Sequence, residues 1–124
     1  MWRHRVLFLE NDLFSNMRNC EFLRGNSCNV SGVYCASEAL EMLTNGEQWS
    51  ALVTAIDLKS DMNGFAVARS ARISHPRLPI VFISEAGTCR ELARDIPEAV
   101  FVAKPFHPRQ IVGALNRALP FAVT

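Results

Sequence analysis

Short, uninterrupted apolar runs alternate along this chain with longer stretches in which apolar residues recur every three or four positions. Val6 to Leu9 is the first such run, and it stops at Glu10-Asn11-Asp12, as expected of a buried strand that delivers polar side chains to its C-terminal edge. Leu13, Phe14, Met17, Cys20 and the Phe22-Leu23 pair then follow at helical spacing, and Gly25-Asn26 supplies the stop. A weaker strand is expected at Cys28 to Val33. Ala36 to Leu43 is made of strong helix formers and ends at Asn45-Gly46. The third strand is Ala51 to Ile56, and a third helix runs from Gly64 to Ile73 before His75-Pro76 breaks it. Ile80 to Ile83 reads as a strand covered on both faces. Thr88 and Glu91 form a T-x-x-E capping box for a fourth helix ending near Ile96, and Val100 to Val102 is the fifth strand. Pro108 sits at a plausible first position of a fifth helix whose inner face is Ile111, Val112, Leu115, Ala118 and Leu119.

Strands alternate with helices, and several strands are apolar throughout rather than on alternate positions. The expected architecture is therefore α/β, a doubly wound five-stranded parallel sheet sandwiched by five helices in a single domain over residues 1–124. In such a sheet the ligand site lies outside the C-terminal strand ends, where Glu10, Asn11, Ala55 to Asp57, Ser84 and Lys104 all fall.

Composition narrows this picture. A chain of 124 residues with 49% hydrophobic content supports one core. Thirteen basic against twelve acidic residues, with no basic run, give no electrostatic reason to expect nucleic-acid binding, so a protein partner is expected. Cys20, Cys28, Cys35 and Cys89 lack C-x-x-C spacing and read as reduced thiols, not as a zinc site or disulfide framework. The four apolar residues before Glu10 are too few for a signal-peptide core or a membrane span, which points to the cytoplasm and away from the membrane. His75 and His107 lie beside prolines and read as turn or cap residues.

Four segments carry a family resemblance: V-L-F-L-E-N-D at 6–12, V-T-A-I-D-L with M-N-G at 53–64, P-I-V-F-I-S-E-A at 79–86, and F-V-A-K-P-F at 101–106. In this order and spacing they resemble the receiver domain of bacterial two-component response regulators over nearly the whole chain. The resemblance implies a flavodoxin-like receiver fold in a phosphorelay pathway. It implies that Glu10, Asn11 and Asp12 stand at the magnesium site, that Ser84 is the hydroxyl residue that moves toward a phosphoryl group, that Phe101 is the aromatic that moves with it, and that Lys104 is the phosphate-contacting cation. Pro105 follows Lys104 in a bond usually cis in that family. The chemistry needs a carboxylate that attacks a phosphohistidine or small acyl phosphate while a hard cation neutralises the transferring group.

Two positions depart from the pattern. Aligning V-T-A-I with the family's V-T-D-I puts Ala55 at the acceptor position, nine residues before Gly64 and 29 before Ser84, in keeping with the family. Aligning Asp57 instead leaves seven and 27. Two residues of strand advance roughly 6.6 Å, far beyond the tolerance of magnesium–oxygen distances of about 2.0–2.1 Å. Asn11 offers an amide oxygen where a carboxylate is wanted, so magnesium is expected to bind weakly.

The leading expectation is a degenerate receiver, not an enzyme, that works through protein contacts without a phosphorylation cycle. Its partners would be a histidine kinase, a phosphotransfer protein or an output domain. A homodimer through the fourth helix, fifth strand and fifth helix is implied by the family, with Arg90, Arg94, Arg109 and Arg117 on that face. The alternatives are an active receiver phosphorylated on a displaced Asp57, and a flavodoxin-like small-molecule binding protein, against which the lack of a glycine-rich loop after Leu9 argues.

Overall fold

A computed structural model describes residues 4–85, 88 and 90–119; Cys89 and Ala86 lie outside the described residues. Five parallel strands, β1 (His4–Leu9), β2 (Cys28–Val33), β3 (Ala51–Ala55), β4 (Ile80–Ser84) and β5 (Val100–Ala103), form one sheet in the order β2-β1-β3-β4-β5. The helices are α1 (Leu13–Arg24), α2 (Ala36–Thr44), α3 (Gly64–Ser74) and α4 (Arg109–Ala118). The expected doubly wound α/β sheet is present. Every residue of β3 and β4 is buried, which is why those strands read as continuous apolar runs.

Two cores flank the sheet. Leu7, Leu9, Leu52, Ile80 and Phe82 point to one side, where Ala39 and Leu43 of α2 and Phe65, Val67 and Ala71 of α3 cover them. Val6, Phe8, Val53, Val81 and Ile83 point to the other, under Cys20 and Leu23 of α1 and Ile111, Ala114 and Leu115 of α4. Burying each such Leu or Phe stabilises by about 1.5–3 kcal/mol relative to leaving it in water.

One expectation needs correction. Among the described residues no fourth α-helix forms; a 3-10 turn, Arg90–Ala93, stands between β4 and β5. The Thr88 hydroxyl, expected to cap that helix, donates to the Glu85 carbonyl at 2.7 Å. Of residues 90–96 only Ala93 and Ile96 are buried, so the segment has too narrow an apolar stripe to hold a helix against the sheet. Its position comes instead from α3. The Arg69 guanidinium bonds the Asp95 carboxylate at 2.8 Å and the Leu92 carbonyl at 2.7 Å, and that of Arg72 bonds the carbonyls of Leu78 and Pro97 at 2.7 and 3.0 Å. The first helix stands where its spacing placed it, as α1. Its buried residues are Asn16, Asn19, Cys20 and Leu23, whereas Leu13, Phe14 and Met17, which suggested the helix, are exposed.

Among the described residues no helix is long and apolar enough to cross a membrane. Cys20 and Cys28 are buried free thiols and Cys35 is an exposed one. Burial pushes the Cys20 thiol up to about 11 and raises that of Cys28 as well.

Candidate functional site

The C-terminal ends of β1, β3 and β4 and the loop after β5 meet in a cleft of about 470 Å³ whose lining includes Glu10, Asn11, Asp12, Asp57, Glu85 and Lys104. β1 delivers Glu10: its backbone N–H continues the ladder to the Val33 carbonyl at 3.1 Å, and its side chain is 2% exposed. One carboxylate oxygen, Oε2, accepts from the Asp12 N–H at 3.4 Å. The other, Oε1, has no hydrogen-bond partner; the Lys104 ammonium stands 3.7 Å from it, an ion-pair separation too long for a hydrogen bond. A buried acceptor left in this state costs on the order of 1–3 kcal/mol.

Asn16 holds this corner together. Its Nδ2 donates to the carbonyls of Glu10 and Val33 at 3.0 and 2.9 Å, and its Oδ1 accepts from the Cys20 thiol at 3.3 Å. Gly32 makes room for it, since a Cβ there would lie 2.5 Å from Asn16 Oδ1. The sequence reading passed over Asn16. Its signal was an asparagine in a helix interior, where no capping role accounts for it.

β3 ends at Ala55, which is 3% exposed and packed into the core on the α2 and α3 side. Leu9 pairs with Thr54 and Ala55 with Ile83, so Glu10 and Ala55 follow one another at the same edge of the sheet. The chain turns immediately afterwards: the Gly64 N–H donates to the Ile56 carbonyl at 2.8 Å, and a Cβ on Gly64 would lie only 2.2 Å from the Ala55 carbonyl oxygen. No other residue fits that approach.

Asp57 sits in the exposed turn beyond. Both of its carboxylate oxygens face Lys59, one accepting from the Lys59 backbone N–H and the other from its ammonium, each at 3.0 Å. These bonds, backbone first, hold the Asp57 carboxyl below the ordinary aspartate range, and the same pairing raises Lys59. Asp12 is likewise occupied, capping α1 through Oδ1 to the Ser15 N–H at 2.8 Å.

Lys104 leaves β5 through a cis bond to Pro105, and its ammonium donates to Glu85 Oε1 at 3.3 Å. Ser84 is 3% exposed, with its hydroxyl donating to the Val102 carbonyl at 3.4 Å. Phe101 is half-buried, tilted against Phe82 at 5.3 Å between ring centroids, with the Arg90 guanidinium 5.0 Å above its ring. The structure thus brings Glu10, Asn11, Asp12, Asp57 and Lys104 into one cleft. Ser84 and Phe101 flank it on β4 and β5.

The donor set suits magnesium poorly. Position 11 is an amide, position 55 a methyl group, Asp12 and Asp57 are engaged elsewhere, and among the described residues no group of three or more His, Cys, Asp or Glu side chains is placed to hold a metal.

No family model matches the chain. The sensor protein TorS of Escherichia coli is 29% identical over 114 residues, covering 90% of this chain but 12% of TorS, so the chain spans about an eighth of that relative. Among solved structures, a response regulator receiver protein from Sinorhizobium medicae has a TM-score of 0.86 at 26% identity, covering 93% of each chain. The non-phosphorylated HemR receiver domain from Leptospira biflexa has a TM-score of 0.82 at 25% identity over 98% of each. The receiver domain of a Pseudomonas aeruginosa sensor histidine kinase, in which a magnesium ion is coordinated in the active-site cleft, has a TM-score of 0.81 at 19% identity, covering 93% of this chain and 96% of that one.

Proposed function

We propose that this receiver domain of the two-component type works through protein contacts without being phosphorylated itself. The carrying observation is Ala55: the residue that ends β3 beside Glu10 has a methyl group sealed into the core, and an acyl phosphate needs a carboxylate nucleophile. Asp57 makes a poor substitute, because Lys59 holds both of its oxygens in an exposed turn. Lys104 accordingly serves as an internal counter-charge to Glu10 and Glu85 rather than as a phosphate contact.

Magnesium binding at Glu10, Asn11 and Asp12 is weak in this reading, and Ser84 stays bonded to β5 rather than answering a phosphoryl group. The module is not an enzyme. Its partners are a kinase, a phosphotransfer protein or an output domain. A dimer through β5 and α4 would have to use the 3-10 turn at Arg90–Ala93 in place of a fourth helix.

The test is exposure to acetyl phosphate and magnesium followed by intact-mass measurement. The unmodified chain is expected to gain nothing, whereas Ala55→Asp combined with Asn11→Asp gains one phosphoryl group. A gain in the unmodified chain that disappears in Asp57→Asn would overturn the proposal and establish the displaced acceptor.

A further inference from the structure

The end of the sheet away from Ala55 carries a cavity that phosphorelay chemistry does not use. It lies where β3 and β4 begin, between the segments that follow α2 and α3, and has a volume of about 600 Å³. Sites for small molecules span roughly 300–1,000 Å³. Leu43, Trp49, Pro76 and Pro79 give it apolar walls, and among the described residues that line it Arg77 carries the only fixed charge.

Those walls are held in place. Trp49 is 8% exposed, its Nε1–H donates to the Met42 carbonyl at 3.1 Å, and the Arg5 guanidinium stands 4.2 Å from the centre of its ring. His75 Nε2 lies 2.7 Å from the Leu43 carbonyl, which can only accept, so Nε2 carries the proton. The His75 backbone N–H donates to the Ala71 carbonyl at 2.8 Å and the Thr44 hydroxyl to the Leu40 carbonyl at 2.7 Å. These bonds bear on what can enter. Two helices end here, and free carbonyls at helix C-termini concentrate negative charge that repels an anion. At this cavity Leu40, Met42, Leu43 and Ala71 already have donors.

Charge completes the picture. The lining contains no Asp or Glu, and Arg77 has neither an ion pair nor a hydrogen bond among the described residues. Glu47, the acid between lining residues Gly46 and Gln48, gives its oxygens to Arg5 at 2.7 Å and Asn45 at 3.1 Å. A cationic ligand would meet repulsion from Arg77, and a neutral one would gain nothing from it. A flat apolar ring bearing a carboxylate uses both features, because a guanidinium takes a carboxylate with two parallel hydrogen bonds.

We propose that this cavity is a site for a small aromatic carboxylate, with its ring against Trp49, Pro76 and Pro79 and its carboxylate on Arg77. Occupancy would bridge the ends of α2 and α3, which the His75–Leu43 bond already joins. The site does not depend on how Ala55 is read.

Titration of benzoate, phenylacetate and cinnamate into the nitrogen-labelled chain, followed by backbone amide shifts in NMR spectra, tests it. At least one acid should saturate at millimolar concentration or below and move the amides of residues 43–49 and 74–79 but not those of Glu10 and Lys104. Arg77 is exposed, so Arg77→Gln keeps the fold, as its amide spectrum will verify, and should weaken that acid about tenfold, the scale of one charge-assisted hydrogen bond. Arg77→Lys should lose less, and Arg109→Gln, at an exposed arginine of α4, should lose nothing. The neutral amide of the same acid should bind the unmodified chain as weakly as the acid binds Arg77→Gln. Saturation by none of the three acids, shifts centred elsewhere, equal affinity for acid and amide, or an equal loss in Arg109→Gln overturns the proposal. So does a peptide ending in phenylalanine that saturates the same amides more tightly than all three acids, which would make the cavity a site for a chain end.

Discussion

Helices α1 and α4 pack on the same face of the sheet, α4 presenting Ile111, Ala114 and Leu115 to it and α1 presenting Asn16, Asn19, Cys20 and Leu23. α4 is seated by area: its apolar stripe and its polar stripe point in opposite directions, and burial alone orients it. α1 is seated by direction. The two hydrogen bonds from Asn16 fix it to the ends of β1 and β2, and its large apolar side chains are left facing outward. One sheet face can therefore carry a helix whose inner side is half polar, provided that each buried polar group is answered. Such a helix leaves Leu13, Phe14 and Met17 exposed.

The contrast can be broken most severely at Leu115. Leu115→Ala removes a fully buried side chain from α4 and should cost about 2–5 kcal/mol in a urea unfolding experiment. Asn16→Ala attacks the other mode of attachment. It leaves the Glu10 carbonyl without that donor and should cost about 1–3 kcal/mol by the same measurement. A loss as large as that of Leu115→Ala would mean that α1 is also held mainly by packing. Phe14→Ser should change stability by no more than about 0.5 kcal/mol, because the ring lies in water.

The smallest effect is kinetic and asks whether α1 is as tightly seated as α4. With its thiol pushed up to about 11 by burial, Cys20 has a thiolate fraction of about one in a thousand at pH 8. Iodoacetamide at that pH should therefore modify Cys35 in the folded chain and spare Cys20 and Cys28, as read by peptide mass mapping, and denaturant should abolish the difference. Raising the pH toward 11 should speed Cys20 labelling only as far as the thiol itself can be reached. Rapid labelling at pH 8 would show α1 opening on its own.

β3 and β4 were legible because a strand covered on both faces is apolar at nearly every position, and each differs from the reading by one residue; the edge strand Cys28–Val33, with Asn29 exposed, agrees to the residue on a weaker pattern. α4 was legible for the related reason that its inner stripe is apolar. Where a helix is anchored by amides the signal inverts, so Leu13, Phe14 and Met17 revealed that α1 exists but not which side faces the core. The fourth helix failed differently. T-x-x-E is a statement about a helix start, and nothing after it supplied the apolar stripe that would have kept a helix in place. Within the site, motif spacing identified Ala55, Asp57 and Lys104. Lys59 as the partner of Asp57 and Glu85 as the partner of Lys104 depend on how two turns fold back, which spacing does not encode.

The two arginines of α3 that reach across to the β4–β5 connection have a meaning in time as well as in space. Among the described residues that connection keeps backbone hydrogen bonds from Thr88 to Glu85, Arg94 to Glu91 and Ile96 to Ala93. Arg69 and Arg72 add bonds from α3, so amide protons of residues 92–97 should exchange faster when either guanidinium is removed. The bond from Arg69 also holds the Asp95 carboxyl below the ordinary aspartate range. The grip is therefore complete above that range and slackens as the pH falls through the lowered value, which makes the tempo of this segment a property that acid can set.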